Sequence, residues 1–293
     1  QLELSADDHL LEIGTGWGGM AVYAAENFGC KVTTTTISKQ QYEFALKRVE
    51  AAGLSGQITV LMEDYRKLDG RYDKLVSIEM IEAVGHQYFS EYFNGCSKLL
   101  KPDGLMLIQA ITIADQRYDQ ALGAVDFIQR YIFPGGCLPS NHIIAHHVAD
   151  DTDMIIISLK DIGLDYAYTL EKWREQFFYK LEQVKAQGFD QRFIRMWDYY
   201  LCYCEGGFRE RAISAAQILM ATPASRRAEL EVDVKRFIDV KKVINASLFN
   251  IAWLVCVIFG DLAAAMACAV VLALHFLFVS RNPIAVSYTH LRA

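Results

Sequence analysis

An apolar run, Leu10 to Ile13, leads straight into Gly14-Thr15-Gly16-Trp17-Gly18-Gly19, and a small-residue helical pattern, Met20 to Phe28, leads out. Glycines at such a junction let the backbone turn tightly and approach a ligand with no Cβ in the way. The helix beyond them offers unpaired N–H groups and the positive end of its dipole. This predicts a cofactor cradle at the tip of the first strand of an α/β sheet. A glycine-rich loop alone does not say which cofactor it holds.

The surrounding pattern supports the sheet. Apolar runs at His9–Ile13, Lys31–Ile37, Gln57–Met62, Asp73–Ile78 and Leu105–Ile111 read as buried strands. Helical patterns at Gly18–Phe28, Lys39–Ala52 and Gln87–Leu100 separate them. Lys101-Pro102-Asp103-Gly104 reads as a turn into the fifth strand. Such alternation implies a parallel, doubly wound sheet with helices on both faces. Ligands in such sheets sit outside the carboxyl ends of the strands.

Residues 112–150 break the rhythm with Tyr118, Phe127, Tyr131, Phe133, Pro134-Gly135-Gly136 and Pro139, and predict an aromatic lid. Core returns at Met154–Leu159. Aromatic helices are expected near Leu170–Gln187 and Gln191–Phe208, then a last strand at Arg211–Thr222.

Past residue 225 the composition changes. A charged linker helix is expected over 226–245. Residues 246–280 are almost wholly apolar, with Asp261 and His275 the ionisable exceptions. At about 20 residues per span, they read as one or two membrane segments. A buried soluble helix and a fused neighbouring reading frame are the alternatives, and the fusion is slightly favoured. Lys235, Arg236, Lys241 and Lys242 predict a cytoplasmic flank. Residues 281–293 read as a disordered or artefactual tail. The chain opens at Gln1, barely a turn before the first strand, and reads as a fragment lacking its N-terminal part.

A chain of 293 residues with net charge −6 fits one large domain with an appendage. No strongly basic stretch marks a nucleic-acid partner. The seven cysteines are scattered without a C-x-x-C pair, which argues against a zinc site or a disulfide frame. His142, His146 and His147 contain an i, i+4 pair but no supporting acid or cysteine, and read as surface or lid residues rather than metal ligands.

The cofactor is decided at the second strand. A nicotinamide dinucleotide site wants an acid about 20 residues after the glycines. Here Thr33-Thr34-Thr35-Thr36-Ile37-Ser38 offers none, and the Gly14-x-Gly16-x-Gly18 spacing is not the dinucleotide one. S-adenosyl-L-methionine (SAM) suits the site better, because it has no pyrophosphate. Its ribose and methionine groups can be held by backbone, hydroxyl and amide groups. Glu63-Asp64-Tyr65 ends the third strand, where adenine could meet an acid and a ring; ordinary packing is the other reading of Tyr65.

Several runs together resemble the cyclopropane-fatty-acyl-phospholipid synthases and mycolic acid cyclopropane synthases. They are Leu11–Gly19, Thr36-Ile37-Ser38-Lys39-Gln40-Gln41, Glu63-Asp64-Tyr65-Arg66 and Ser77-Ile78-Glu79-Met80-Ile81-Glu82-Ala83-Val84-Gly85. The match continues through Tyr131-Ile132-Phe133-Pro134-Gly135-Gly136-Cys137-Leu138-Pro139-Ser140 and Asp165-Tyr166-Ala167-Tyr168-Thr169-Leu170, and ends near Met196–Leu201. The Tyr131–Ser140 run is the most specific of these, and coverage is roughly residues 1–225. The resemblance implies a class I SAM-methyltransferase (Rossmann-like) fold acting on unsaturated lipid chains. It implies that Gly14, Gly16, Thr36, Ile37, Gln41, Asp64 and Tyr65 bind SAM. It also implies a bicarbonate ion held by Glu82, Tyr166, the Ile111 backbone and the position of Gln109. The family has histidine where Gln109 and Ala83 stand. Its active-site cysteine lies upstream of the glycine loop, outside this sequence.

The chemistry explains the residue types. An isolated alkene is a poor nucleophile, so alignment with the sulfonium methyl is the main help a protein can give. The resulting carbocation closes a ring when the new methyl loses a proton, which calls for a base in an apolar pocket. Aromatic faces can stabilise the cation, and Tyr118, Phe127, Tyr131, Phe133 and Tyr166 are the candidates, with core packing the other reading of each. The leading expectation is cyclopropanation of an unsaturated phospholipid at a bilayer surface. C-methylation without ring closure and an inactive, membrane-tethered binding module are the alternatives. The expected location is cytoplasmic, peripheral at the inner membrane face or anchored through 246–280. A homodimer is left open.

Overall fold

The computed structural model describes residues 1–226. The elements run β1 (His9–Ile13), α1 (Gly19–Phe28), β2 (Lys31–Thr35), α2 (Lys39–Ala51), β3 (Ile58–Leu61), β4 (Tyr72–Ile78), α3 (Phe89–Leu99) and β5 (Leu100–Ile113). They continue with α4 (Tyr118–Leu122), α5 (Phe127–Tyr131), α6 (Asn141–Asp151), β6 (Ile155–Asp161), α7 (Gly163–Tyr179), α8 (Leu181–Ala186), α9 (Gln191–Arg209) and β7 (Ile213–Ala221). The seven strands form one sheet in the order β3-β2-β1-β4-β5-β7-β6.

The sheet is mixed, which corrects the all-parallel expectation. β1 to β5 pair in parallel, whereas β7 runs antiparallel to both β5 and β6. The apolar pattern of β7 marks a buried strand but carries no direction. Connectivity sets it: β7 enters from α9 and slots between two strands already laid down.

Alternation along the strands feeds two layers. Leu11, Ile13, Leu75, Met106 and Ile108 face α3 and α6, where Phe89, Tyr92 and Phe93 are wholly buried. Leu10, Val32, Val76 and Leu105 face α1 and α2, and meet Ala21, Ala24, Ala25, Ala45 and Val49. Truncating Phe93 to alanine would cost about 3–5 kcal/mol at such a site. A third cluster joins α7, α9 and β7 through Leu170, Leu201, Phe208 and Ala215.

Two other expectations change. Lys101–Gly104 does not precede the fifth strand. β5 begins at Leu100, and a register shift between Tyr72 and Lys74 of β4 accommodates the extra residues as an irregularity. The stretch read as core at Met154–Leu159 is core on one face only: Met154 is buried and Ile156 packs against the core, but the strand lies at the sheet edge. Among the described residues β6 pairs only with β7, and Ile155 and Leu159 stay 62% and 47% exposed.

The break after β5 is real. Residues 114–151 carry α4, α5 and α6, with Val125, Tyr131 and Phe133 exposed. Among the described residues, no helix is long and apolar enough to cross a membrane. The expected linker helix from 227, the membrane segments at 246–280 and the tail at 281–293 lie outside the described residues.

Candidate active site

The glycine loop leaves β1 as predicted. Gly14, Gly16 and Gly18 have φ of 101°, 50° and 77°, a region that disfavours side chains. The N–H groups of Gly14 and Thr15 both donate to the Thr35 carbonyl, at 3.1 and 3.0 Å, which ties the loop to the end of β2. A Cβ on Gly18 would lie 3.2 Å from that of Ala45, so this glycine permits close packing of the loop on α2. A Cβ on Gly16 would meet nothing within 4 Å and would project into the open cradle.

Beneath the loop lies a buried polar chain whose function the sequence reading did not assign. Thr15 donates to Thr34 at 2.7 Å, because the Thr34 hydroxyl is itself donated to Glu12 Oε2 at 2.6 Å. Glu12 is 3% exposed, and burial raises its pKa to about 7, with the Thr34 hydrogen bond opposing the rise. The available signal was an acid inside an otherwise apolar strand.

At the end of β2, the Thr36 hydroxyl donates to Gln41 Oε1 at 2.9 Å and accepts from the Ser38 N–H at 3.1 Å. The Gln41 amide nitrogen can then donate outward. Ile37 is 78% exposed beside them. After β3, Asp64 pairs with Arg66 at 2.7 Å, and that hydrogen bond lowers its pKa. The Tyr65 ring packs edge-to-face on Tyr92 at 5.7 Å. Packing thus accounts for the ring.

Met80 connects the cradle to a second group of residues: a Cβ on Gly14 would lie 3.4 Å from the Met80 side chain. Met80 sits between Glu79 and Glu82, just past the carboxyl end of β4. Glu82 Oε1 accepts from the Ile111 N–H at 2.5 Å, and its Oε2 is buried with no hydrogen-bond partner. Burial raises the Glu82 pKa to about 7, helped by the nearby charge of Glu79. The Glu82 carbonyl accepts from the Cys137 N–H at 2.8 Å, and Gln129 Nε2 donates to the Gly136 carbonyl at 3.0 Å. The most specific run of the sequence, Tyr131–Ser140, therefore buttresses Glu82.

Glu79 is the second residue whose role only the fold discloses. It is a non-glycine residue at φ 51°, held there by its N–H donating to the Gln109 carbonyl at 2.7 Å. Gln109 Nε2 donates to Glu79 Oε1 at 2.8 Å, and the Tyr166 hydroxyl donates to Oε2 at 2.7 Å. Gln217 Nε2 donates to Gln109 Oε1 at 2.9 Å and fixes the orientation of that amide. Gln109, Ile111, Glu82 and Tyr166 thus converge, but Tyr166 and Gln109 converge on Glu79. Burial, then the Glu79 charge, raises the Tyr166 pKa far above the ordinary phenol value.

The aromatic candidates divide. The Tyr166 ring stacks on Phe208 at 4.6 Å, and Phe133 meets Tyr200 at 6.3 Å. Phe127 packs on Tyr199 at 4.7 Å and on Tyr131 at 5.5 Å. Tyr118 is buried in the interior. His147 pairs with Asp151 at 2.7 Å and stacks on Phe93, a packing role. Among the described residues, no group of three or more metal-ligating side chains is assembled.

Comparison with known proteins identifies the family. The family model described as Mycolic acid cyclopropane synthetase matches residues 1–218. The chain belongs to this family. The mycolic acid cyclopropane synthetase family comprises SAM-dependent methyltransferases related to cyclopropane-fatty-acyl-phospholipid synthase. The chain is 41% identical over 209 residues to the tuberculostearic acid methyltransferase UfaA1 of Mycobacterium tuberculosis, covering 71% of this chain and 49% of that protein. It is 37% identical over 221 residues to the cyclopropane-fatty-acyl-phospholipid synthase of Escherichia coli, covering 75% and 55%. The chain thus spans about half the length of the curated relatives it matches. Among solved structures, the cyclopropane synthase MmaA2 from Mycobacterium tuberculosis superposes with a TM-score of 0.69 at 25% identity, covering 75% of this chain and 80% of that one. Mycolic acid cyclopropane synthase CmaA1 complexed with SAH and CTAB gives the same TM-score at 26% identity, with 75% and 80% covered.

Proposed function

We propose that this chain joins the methyl carbon of SAM to the double bond of an unsaturated phospholipid acyl chain and closes a cyclopropane ring. One observation carries the reading: two acidic residues, Glu79 one position before and Glu82 two positions after Met80, stand beside a methionine whose side chain would lie 3.4 Å from a Cβ on Gly14 of the glycine loop. A methyl-accepting chain placed there has a base within reach of the carbon it has just gained.

The residues suit SAM. Gly16 leaves the cradle open, and no acid stands at the end of β2 to demand a dinucleotide ribose. Gly14 and Gly16 would bring backbone to the cofactor, Thr36, Ile37 and Gln41 would hold its ribose end, and Asp64 and Tyr65 would flank the adenine. SAM, once bound, supplies a methyl group made electrophilic by a sulfonium. The chain's own part is alignment, exclusion of water and removal of a proton. Residues 114–151, with exposed Val125, Tyr131 and Phe133, are suited to cover an acyl chain and to meet a bilayer surface on its cytoplasmic side.

Bicarbonate does not fit this site. Its expected donors are Tyr166, Gln109 and the Ile111 N–H, and all three are already taken by Glu79 and Glu82. A further anion would also be repelled by the Glu79 carboxylate, which already occupies the Tyr166 and Gln109 donors.

A second reading has support of its own. The relative at 41% identity is named a tuberculostearic acid methyltransferase, so a methyl-branched product without a ring is the alternative outcome at the same site. Expression of the full-length gene in cells, followed by mass spectrometry of their phospholipid acyl chains, tests both. Acyl chains heavier by one CH2 group, without a double bond and resistant to hydrogenation into a branched chain, support ring closure. A branched chain supports the second reading. No gain of a CH2 group would sink both.

A further inference from the structure

The Tyr166 hydroxyl and the Gln109 amide, on opposite sides of one carboxylate, donate to Glu79 Oε2 and Oε1 at 2.7 and 2.8 Å. We propose that the Glu79 carboxylate is the proton acceptor of the reaction, a built-in substitute for a dissociable ion. The proposal rests on the lipid-methylation reading above and names the base within it.

Three features argue for Glu79. First, both its partners are neutral donors. An amide and a phenol orient a carboxylate without cancelling its charge, as an arginine or lysine would. Each carboxylate oxygen also keeps a lone pair for a proton. Second, the backbone is forced. A glutamate at φ 51° is strained, as any residue with a Cβ is in this region, and persists only where its surroundings over-determine it. The Gln109 carbonyl, the Gln109 amide and Tyr166 supply that determination, and Gln217 in turn fixes Gln109. Third, the location is right. Glu79 directly follows β4 and precedes Met80, whose side chain would lie 3.4 Å from a Cβ on Gly14 of the glycine loop.

Glu82 is a poorer base. One of its oxygens is fixed by a main-chain N–H, and its orphaned second oxygen suits a carboxyl that keeps its own proton beside Glu79. The step balances simply. A C–H bond of the newly attached methyl breaks, and its electron pair forms the third C–C bond of the ring. The proton passes to a Glu79 oxygen and from there to solvent between turnovers.

The test uses the full-length enzyme with vesicles of unsaturated phospholipid. In buffer stripped of carbon dioxide, the wild type should keep its rate, and added bicarbonate should not raise it. Glu79→Gln should lower kcat by about 10²–10⁴-fold while SAM affinity by calorimetry stays unchanged. Glu79→Gly, which also relieves the positive φ, should be similarly slow but should regain rate when bicarbonate or acetate is added to fill the vacated space. A side chain that only positions others would not give rescue by a free carboxylate. A wild type that depends on bicarbonate, or a Glu79→Gln enzyme of normal kcat, overturns the proposal while leaving lipid methylation intact. If Glu79→Gln fails to fold, the bicarbonate response of the wild type still decides. A wild type that binds SAM but methylates no unsaturated lipid removes the underlying reading, and the base with it.

Discussion

The phenol of Tyr166 and the carboxylate of Glu79 meet at 2.7 Å across 87 positions of sequence, joining α7 to the carboxyl end of β4. Burial and the charge of Glu79 push the phenol's pKa up, so Tyr166 stays a donor throughout the working range of pH. Tyr166→Phe keeps the ring stacked on Phe208 and removes only this donor. A hydrogen bond to a charged group is worth about 1.5–3 kcal/mol, so kcat on unsaturated vesicles should fall about 10- to 150-fold. SAM affinity, read by calorimetry, should not change.

Glu12 should leave a mark on stability rather than on turnover. Its folded pKa, about 7, lies above the ordinary carboxyl value of 4.5. The native state therefore holds a proton that the unfolded chain has released, and the stability this brings is full below the unfolded value and lost as pH rises through the folded one. The loss amounts to about 3 kcal/mol for this group. Glu82 shifts in the same direction. The carboxylates with lowered pKa, Asp64, Asp73, Asp115 and Asp151, act in the opposite sense, at lower pH. Thermal unfolding should therefore show falling stability between about pH 5 and about pH 8, and Glu12→Gln should flatten that slope. An unchanged slope in the variant would contradict the assignment.

Two glycines of the loop should fail in different ways. A methyl on Gly18 would meet Ala45 Cβ at 3.2 Å and its Cα at 3.3 Å, so Gly18→Ala should destabilise the fold by about 1–3 kcal/mol through overpacking, on top of the strain of its positive φ. A methyl on Gly16 would meet no protein atom and would enter the cradle. Gly16→Ala should cost only about 1–2 kcal/mol of backbone strain but raise the Kd for SAM at least about tenfold. Denaturant titration and calorimetry on the two variants separate the effects.

Much of the framework was legible because local signals agreed. The run into Gly14 placed β1 at its observed limits, and the helical pattern from Lys39 placed the start of α2, where the structure adds Ser38 as a cap accepting from Gln41. The direction of β7 was not legible, since an apolar run reads the same both ways. Pro102 and Gly104 signalled a turn, yet lie in an irregularity of β5 that only pairing with β4 defines. At the site, Glu82, Gln109, Ile111 and Tyr166 were found through resemblance, and the hydrogen bonds bring them together. Glu79 escaped notice because its meaning depends on a positive φ and two partners remote in sequence.

Gln109 offers a last test, because it is neutral where the family has histidine. Its amide can donate to Glu79 at any pH, and Gln217 holds it in that orientation. Gln109→His would place a titratable ring against the carboxylate. Beside Glu79 the introduced imidazole should have a pKa raised above its ordinary value of about 6.5. As pH falls through that value the ring gains a charge, pairs with Glu79 and withholds the base. The variant should therefore lose kcat on the acid side with a limb near neutrality that the wild type lacks, and should approach wild-type rates at high pH. The opposite result, a variant whose pH profile overlays the wild type's, would mean that Glu79 is not the group whose ionisation turnover requires.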